Sequence, residues 1–232
     1  MVFKNVYPLY GQIDIKDSSQ ERNLAIQRDL MIQLSEISDI LKIAFQKYKL
    51  PIYEELMFRV NNYLNEVKEA LFTHTEQAVF DFVKDEVDPV FKYNQKIDKV
   101  TESYYDHRRN YDNSVMEANM KLAALLDKRQ EEAQEMFPHY FERYKTDGVE
   151  HNMYIGSSIT RDRKFSELFL SNLRLWQLQV MCEMENKYYS LKPHLPVQLD
   201  VASLVLVYST SLAIRFRMDE KRFDVDGTYN AR

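Results

Sequence analysis

Residues 165–188 read FSELFLSNLRLWQLQVMCEMENKY, and apolar side chains recur in this stretch at every third or fourth position. The recurring residues are Phe165, Phe169, Leu173, Trp176, Val180, Met184 and Tyr188. That spacing places them along one face of an α-helix. Five more apolar residues widen the face: Leu168, Leu175, Leu178, Met181 and Cys182. Because a helix that is apolar around most of its circumference is buried, we predict that this helix forms the centre of the hydrophobic core.

Helical periodicity covers much of the remaining chain. Apolar stripes predict one helix that ends at Leu50, a second that begins at Pro51 and a third that begins at Thr73. The residue before a proline disfavours helical geometry, whereas a proline in the first turn sacrifices no hydrogen bond. The pattern is helical again from about Asp98 to Thr146, and Pro138 predicts a kink or a new segment within that range.

Three stretches alternate between apolar and polar residues, which indicates β-strands. Val6–Ile15 predicts a short strand, and Val149–Ile155 predicts another. Leu204–Tyr208 is continuously apolar, and residues 212–218 alternate strictly. We therefore interpret residues 204–218 as a β-hairpin with one buried face.

These patterns predict an α+β fold that is mainly α. We expect a long-helix bundle with a small antiparallel sheet, made of the C-terminal hairpin plus one or two short strands. The chain has only 4 glycines in 232 residues, which argues against a β-rich fold with many tight turns. Since no Gly-, Ser- or Pro-rich linker divides the chain, residues 1–232 are predicted to form a single domain, as a fragment of a larger multidomain protein.

Composition excludes several classes of function. The formal net charge of −5 argues against a nucleic-acid partner, and a single cysteine argues against a disulfide or a cysteine-based zinc site. Glycine-rich phosphate loops are absent from the sequence. No apolar run approaches 18 residues and no secretory signal is recognised, so we expect no membrane insertion and a cytoplasmic location.

A metal centre is the first catalytic possibility that the sequence raises. Glu132, Glu135, His139 and Glu142 share one face if the predicted helix continues past Pro138. A di-iron bundle needs a Glu-x-x-His pair on each of two helices, and the sequence contains none. We interpret the four residues as a solvated acidic face, and we expect no metal, no cofactor and no catalytic residue.

Arg215, Arg217 and His151 are the candidate ligand-binding residues. The two arginines lie two positions apart on a predicted strand, so their guanidinium groups point to the same side and could bind a phosphate or carboxylate. The alternative is cross-strand pairing with acidic residues. His151 falls on the apolar side of its strand, where the alternative is a hydrogen-bonded core histidine.

Four stretches carry a family resemblance: Tyr7–Ile15, Pro138–Gly156, Asn172–Leu178 and Ile214–Val225. They resemble an uncharacterised helical region of large bacterial sensory proteins that contain GAF domains. The resemblance implies that the chain is a region beside such a sensor domain, and it carries over no functional residue.

Three functions follow as expectations. The first is a non-catalytic regulatory or interaction module of a cytoplasmic signalling protein, which relays signals or scaffolds through long helices. Its partners are then other domains of the same polypeptide or a second copy in a homo-oligomer. The second is a sensor of a small anionic molecule, with a pocket between helices and sheet that uses Arg215 and Arg217. The third is a carboxylate-bridged metal enzyme around His139.

Overall fold

The computed structural model describes residues 2–91, 106–159 and 165–225. Helices account for 62% of the described residues, and a six-stranded antiparallel sheet accounts for most of the regular structure that remains. The chain divides into two compact units. One is the continuous stretch Asp17–Asn113, and the other combines Met1–Lys16 with Ser114–Arg232.

The first unit, which we call the helical unit, is built from consecutive helices. They are α1 (Ser18–Tyr48), α2 (Pro51–Glu69), α3 (Thr73–Phe82), a π-helical turn (Val83–Val87), α4 (Asp88–Phe91) and the first residues of α5 (Asp106–Met136). The apolar stripes of α1 and α2 face each other in its core, where Leu34, Leu41 and Val60 are fully buried. Lys49 adopts a left-handed conformation between the two helices, and Pro51 opens the second.

The π-helical turn lies just before Pro89. A proline inside a helix lacks the N–H for an intrahelical bond, and its ring collides with the carbonyl four residues earlier. The wider π turn gives the ring room, so the helix continues through the Asp88–Pro89 step.

The second unit, the sheet unit, centres on one long strand. Its strands are β1 (Val2–Ile15), β2 (Tyr140–Lys145), β3 (Gly148–Gly156), β4 (Val201–Val207), β5 (Leu212–Arg217) and β6 (Arg222–Val225). One edge of β1 pairs with β3, while the other edge pairs with β5 near its start and with β4 near its end. A bulge at Asn5, which has a positive φ, separates its pairing with β5 into two parts.

The sheet curls into a half-barrel. The two strands at its ends, β2 and β6, approach each other: Glu142 accepts a hydrogen bond from the backbone N–H of Phe223 at 3.0 Å. The ring of Phe223 also contacts Tyr140 and Tyr154, with centroids 4.8 and 4.9 Å apart. Aromatic packing therefore fills one end of the concave face.

The expected long-helix bundle with a small sheet is wrong. Residues 140–145, which the sequence analysis assigned to a continuing helix, form β2, because α5 ends at Met136 before Pro138. The part of that predicted helix that covers residues 98–105 lies outside the described residues. The sheet has six strands rather than three or four, and its longest strand is the predicted short one at Val6–Ile15, extended back to Val2.

The expected C-terminal hairpin also has different partners. β4 and β5 do not pair with each other, because both pair with the same edge of β1. A strand of 14 residues is long enough to hold two shorter strands end to end. The hairpin of this region joins β5 to β6, and Lys221 in its turn has a positive φ.

One more helix, α6 (Glu167–Leu191), packs on β1 and β4, and a 3₁₀ turn (Lys192–His194) follows it. Its buried residues include Leu173, Trp176 and Val180, as their spacing predicts. Leu168, Leu175 and Leu178 are exposed instead of buried. The helix covers one face of the sheet and is not enclosed on all sides.

Candidate functional site

His151 lies in the core between β1 and α6. It is fully buried, and Gly11 is its cross-strand neighbour on β1. The side-chain amide nitrogen of Gln177 lies 3.2 Å from Nε2 of His151, within hydrogen-bond distance. Burial lowers the pKa of His151 to about 4, so the ring is neutral near pH 7 and holds no positive charge for an anion.

The two predicted arginines lie far from this histidine. Arg215 pairs with Val2 on β1, whereas His151 pairs with Gly11, nine residues further along the same strand. At 3.3 Å per residue, the positions on β1 that pair with Arg215 and with His151 are about 30 Å apart along the strand. The structure therefore does not bring the three candidate ligand residues into one site.

Arg217 lies within a group of carboxylates at the β5–β6 turn. Its guanidinium is 2.6 Å from Asp219, 2.7 Å from Glu220 and 3.4 Å from Asp224. The hydrogen bond to Asp219 is the main reason why the pKa of Arg217 is raised. Arg215 is exposed on β5, opposite Asp224 of β6. Of these carboxylates, Asp224 lies on the neighbouring strand β6, whereas Asp219 and Glu220 lie in the turn that follows β5.

The four residues of the considered metal site do not share a helix face. Glu132 and Glu135 lie on α5, His139 lies after its end, and Glu142 lies on β2. His139 is buried, and its Nδ1 is 2.8 Å from the carbonyl oxygen of Phe137. Across residues 2–91, 106–159 and 165–225, no group of three or more His, Cys, Asp or Glu side chains is arranged to hold a metal ion.

The concave face of the sheet carries a closed polar network. The hydroxyl of Tyr10 donates to Gln12 at 2.8 Å, and the amide of Gln12 donates to Asp14 at 3.1 Å. The hydroxyl of Tyr144 donates to Glu142 at 2.9 Å. Burial and the nearby carboxylates raise the pKa of Tyr144, so this hydroxyl remains protonated. Neighbours on the sheet already satisfy these groups, which makes this face a weak candidate for a ligand site.

A groove between α5 and β2 differs from all of these places because it is open and apolar. We call it the α5–β2 groove, and its volume is about 460 Å³. Its apolar wall on α5 includes Met116, Met120, Ala123 and Ala124, and its charged lining residues, which we call its rim, are Asp127, Arg143 and Lys145. The exposed fractions of Met116 and Met120 are 57% and 59%.

The spacing along α5 explains why the groove is apolar. Ala118, Leu122 and Leu126 recur every four residues and are buried in the sheet unit. Met116 and Met120 form a second apolar row on another face of the helix, and that row has no cover among the described residues. The small side chains of Ala123 and Ala124 continue the row and leave the space open.

Asn119 is an uncharged polar residue that also lines this groove. Its side chain is only 3% exposed, and its amide nitrogen donates to the carbonyl oxygen of Thr146 at 3.3 Å. Its Oδ1 atom is buried and has no hydrogen-bond partner among the described residues. A buried acceptor without a partner costs about 1–3 kcal/mol. Because Oδ1 is buried, a ligand in the groove has no direct access to it.

The rim of the groove is charged at two places. Asp127 and Arg143 form an ion pair at 3.1 Å. Lys145 is exposed, and within the part of the chain that the structure describes no carboxylate lies within ion-pair distance of it. The rim therefore offers one positive charge to an incoming acidic group.

No family model, curated protein or solved structure matches the chain. The helices of residues 2–91, 106–159 and 165–225 also lack the combination of length and apolarity that a membrane span requires. The α5–β2 groove is not among the sites predicted from the sequence, although Met116, Met120 and the Ala123–Ala124 pair are a readable signal. They form a second apolar row at spacings of four and three on a helix whose first row already accounts for the core.

Proposed function

We propose that this chain is a non-catalytic interaction module that binds an amphipathic helix of a partner protein in the α5–β2 groove. The observation that carries the proposal is the exposed Met116–Met120 pair in an open, mainly apolar groove. Methionine side chains are flexible and polarisable, which suits a surface that accepts apolar side chains of different shapes.

The dimensions of the groove favour a helix. Its residues on α5 run from Met116 to Asp127, which is twelve residues and, at 1.5 Å for each of the eleven steps, about 16 Å. A partner helix laid along α5 therefore places about three turns in the groove. Apolar anchors at positions i, i+4 and i+7 of that helix contact the methionines and the two alanines. The alanines allow the partner backbone to approach closely.

The polar groups of the groove specify the partner further. Lys145 favours an acidic residue at its end of the groove. The proposed partner is therefore an amphipathic helix with apolar anchors and a carboxylate at one end.

The setting of the module belongs to the same proposal. The resemblance of four stretches to a region of GAF-domain-containing bacterial sensory proteins supports a regulatory role in a cytoplasmic signalling protein. The bound helix then belongs to another domain of the same polypeptide or to a second protein. The sequence that flanks this chain in its gene tests the setting, since a sensor domain next to it is expected.

Selection of helical peptides from a displayed random library tests the binding function. We expect the selected peptides to carry apolar residues at helical spacing and to bind wild-type protein with micromolar affinity. Met120→Lys should abolish binding, because it puts a charge among the apolar side chains that line the groove. Leu168→Lys is the matched control, since Leu168 is an exposed apolar residue of α6 outside the groove. Peptides that bind the Met120→Lys protein as tightly as wild type would rule out the groove.

A further inference from the structure

The strand β4 has an open edge that differs from the other open edges of the sheet. Among the described residues, β2, β4 and β6 are the strands that pair on one side only. β2 carries Glu142, Arg143 and Lys145, and β6 carries Arg222 and Asp224. Charged side chains on an edge strand disfavour pairing with another chain. β4, with the sequence VASLVLV, has no charged residue.

The side chains of β4 are also exposed on both faces of the sheet. Leu204 and Leu206 project to the concave face and are 45% and 41% exposed. Val207 projects to the face that α6 covers, yet it is 60% exposed. A continuous apolar run is typical of a strand buried on both faces. The described part of the chain does not provide that burial.

We propose that β4 pairs with β4 of a second copy of this chain, antiparallel and about a twofold axis at Leu204, to form a continuous sheet across a homodimer. An antiparallel twofold pair places each residue opposite its mirror position. With Leu204 opposite Leu204 of the partner, Ala202 faces Leu206 and Val201 faces Val207. Every cross-strand pair on both faces is then apolar, apart from Ser203 opposite Val205.

The ends of the strand fit the same register. Asp200, the first charged residue before β4, lies opposite Tyr208 of the partner and not opposite a second carboxylate. Asp200 also has its own countercharge, because Lys192 forms an ion pair with it. A twofold contact brings like residues near each other, so a surface without charge is the kind that tolerates self-association. This interface uses a different edge of the sheet from the α5–β2 groove and is independent of it.

Sedimentation velocity and light scattering on the full chain test the dimer. We expect a species with twice the chain mass of 27.8 kDa at micromolar concentration. Leu204→Lys places two ammonium groups opposite each other and removes the leucine contact, so the dissociation constant should rise at least about tenfold. Leu178→Lys, at an exposed leucine of α6, is the control that should remain dimeric. A monomeric wild type, or a Leu204→Lys protein that dimerises as tightly as wild type, overturns the proposal.

Two further measurements identify the register. Mixing the Leu204→Lys and Leu204→Glu proteins should restore a dimer, since opposite charges then face each other across the axis. In a Cys182→Ser background, Leu204→Cys should form an intermolecular disulfide under mild oxidation, because directly opposed residues have Cβ atoms about 5 Å apart. A dimer without restoration and without the disulfide excludes this pairing even if self-association occurs.

Discussion

At position 11 of β1 the chain passes directly over the imidazole of His151. A Cβ atom built on Gly11 would lie 2.8 Å from Nε2 of His151 and 3.1 Å from the amide nitrogen of Gln177. Both neighbours are buried, so neither can move away cheaply. The backbone of β1 and the buried histidine therefore depend on each other for space.

We predict that Gly11→Ala lowers the free energy of unfolding by about 1–3 kcal/mol, the usual cost of overpacking a core. Urea denaturation monitored by circular dichroism measures the change. The same substitution in a His151→Ala background should cost less, because the smaller side chain removes the collision. An equal cost in both backgrounds would show that the histidine is not the obstacle.

His151 also predicts a pH dependence of stability. An unfolded histidine titrates near 6.5, whereas burial holds the pKa of His151 at about 4 in the folded chain. Above about pH 6.5 the imidazole is mostly neutral in both the folded and the unfolded chain, so its titration does not lower the free energy of unfolding. As the pH falls from 6.5 to 4, the unfolded chain gains a proton that the folded chain does not, so stability decreases. The expected loss is about 3 kcal/mol over that range.

Urea denaturation at several pH values between 7 and 4 checks this effect. His151→Gln should have a shallower decrease in unfolding free energy over this range than wild type. His194→Gln is the control, because His194 is exposed on the 3₁₀ turn after α6. Parallel pH profiles for wild type and His151→Gln would contradict the assignment of this dependence to the buried ring.

Among the secondary-structure elements, α6 shows most clearly what one helix face contributes. Trp176 is buried against the sheet unit, while its neighbour Leu175 is exposed. We predict that Trp176→Ala lowers the unfolding free energy by about 3–5 kcal/mol, since the ring leaves a cavity. Leu175→Ala should cost less than about 1 kcal/mol, because no buried contact is lost. Thermal or urea denaturation of the two variants measures the difference, and similar costs would mean that the helix is rotated.

Local signals in the sequence located several elements well. Pro51 and Thr73 begin helices as predicted, and β3 covers Gly148–Gly156 around the predicted strand. These predictions depend on neighbouring residues, through proline geometry and the spacing of apolar side chains. β2 was missed because Tyr140 and Tyr144 suit one face of a helix and one face of a strand equally well. Its pairing with β3 is a tertiary contact, and periodicity does not contain that information.

The candidate site was harder to predict than the elements that form it. The Met116–Met120 row can be read from the sequence, but the groove exists only because β2 lies beside α5. The same limit applies to His151. Its place on an apolar strand face is readable, whereas its partner Gln177 depends on the rotation of α6 over the sheet. Sequence periodicity specifies faces, and packing decides which faces meet.

For the whole molecule, the order of the chain separates local from distant contacts. The helical unit is continuous in sequence, and α1 packs against α2, the next helix in the chain. In the sheet unit, Leu9 of β1 pairs with Val207 of β4, so the whole intervening chain must be closed into a loop. Closing a long loop costs entropy before any contact forms.

We therefore predict that the amides of α1 and α2 gain protection earlier during refolding than those of β1. Pulsed hydrogen exchange with mass-spectrometric detection of peptides from the two units measures the order. The amides of β3 should gain protection at an intermediate time. This strand pairs with β2, which is adjacent in sequence, and also with the distant β1. Protection of β1 before α1 and α2 would mean that long-range pairing nucleates folding.

The central strand is also the only part of the sheet unit that lies before the helical unit in the chain. It pairs with β3 on one side and with β4 and β5 on the other. Without β1 the sheet is therefore divided into two parts, with the position of one strand left unfilled between them. A chain that starts at Asp17 is thus a receptor for its own missing strand, and a synthetic peptide of residues 1–16 is the matching part. This arrangement suits a two-piece reporter, in which formation of the complete sheet signals that the peptide has bound to the truncated chain.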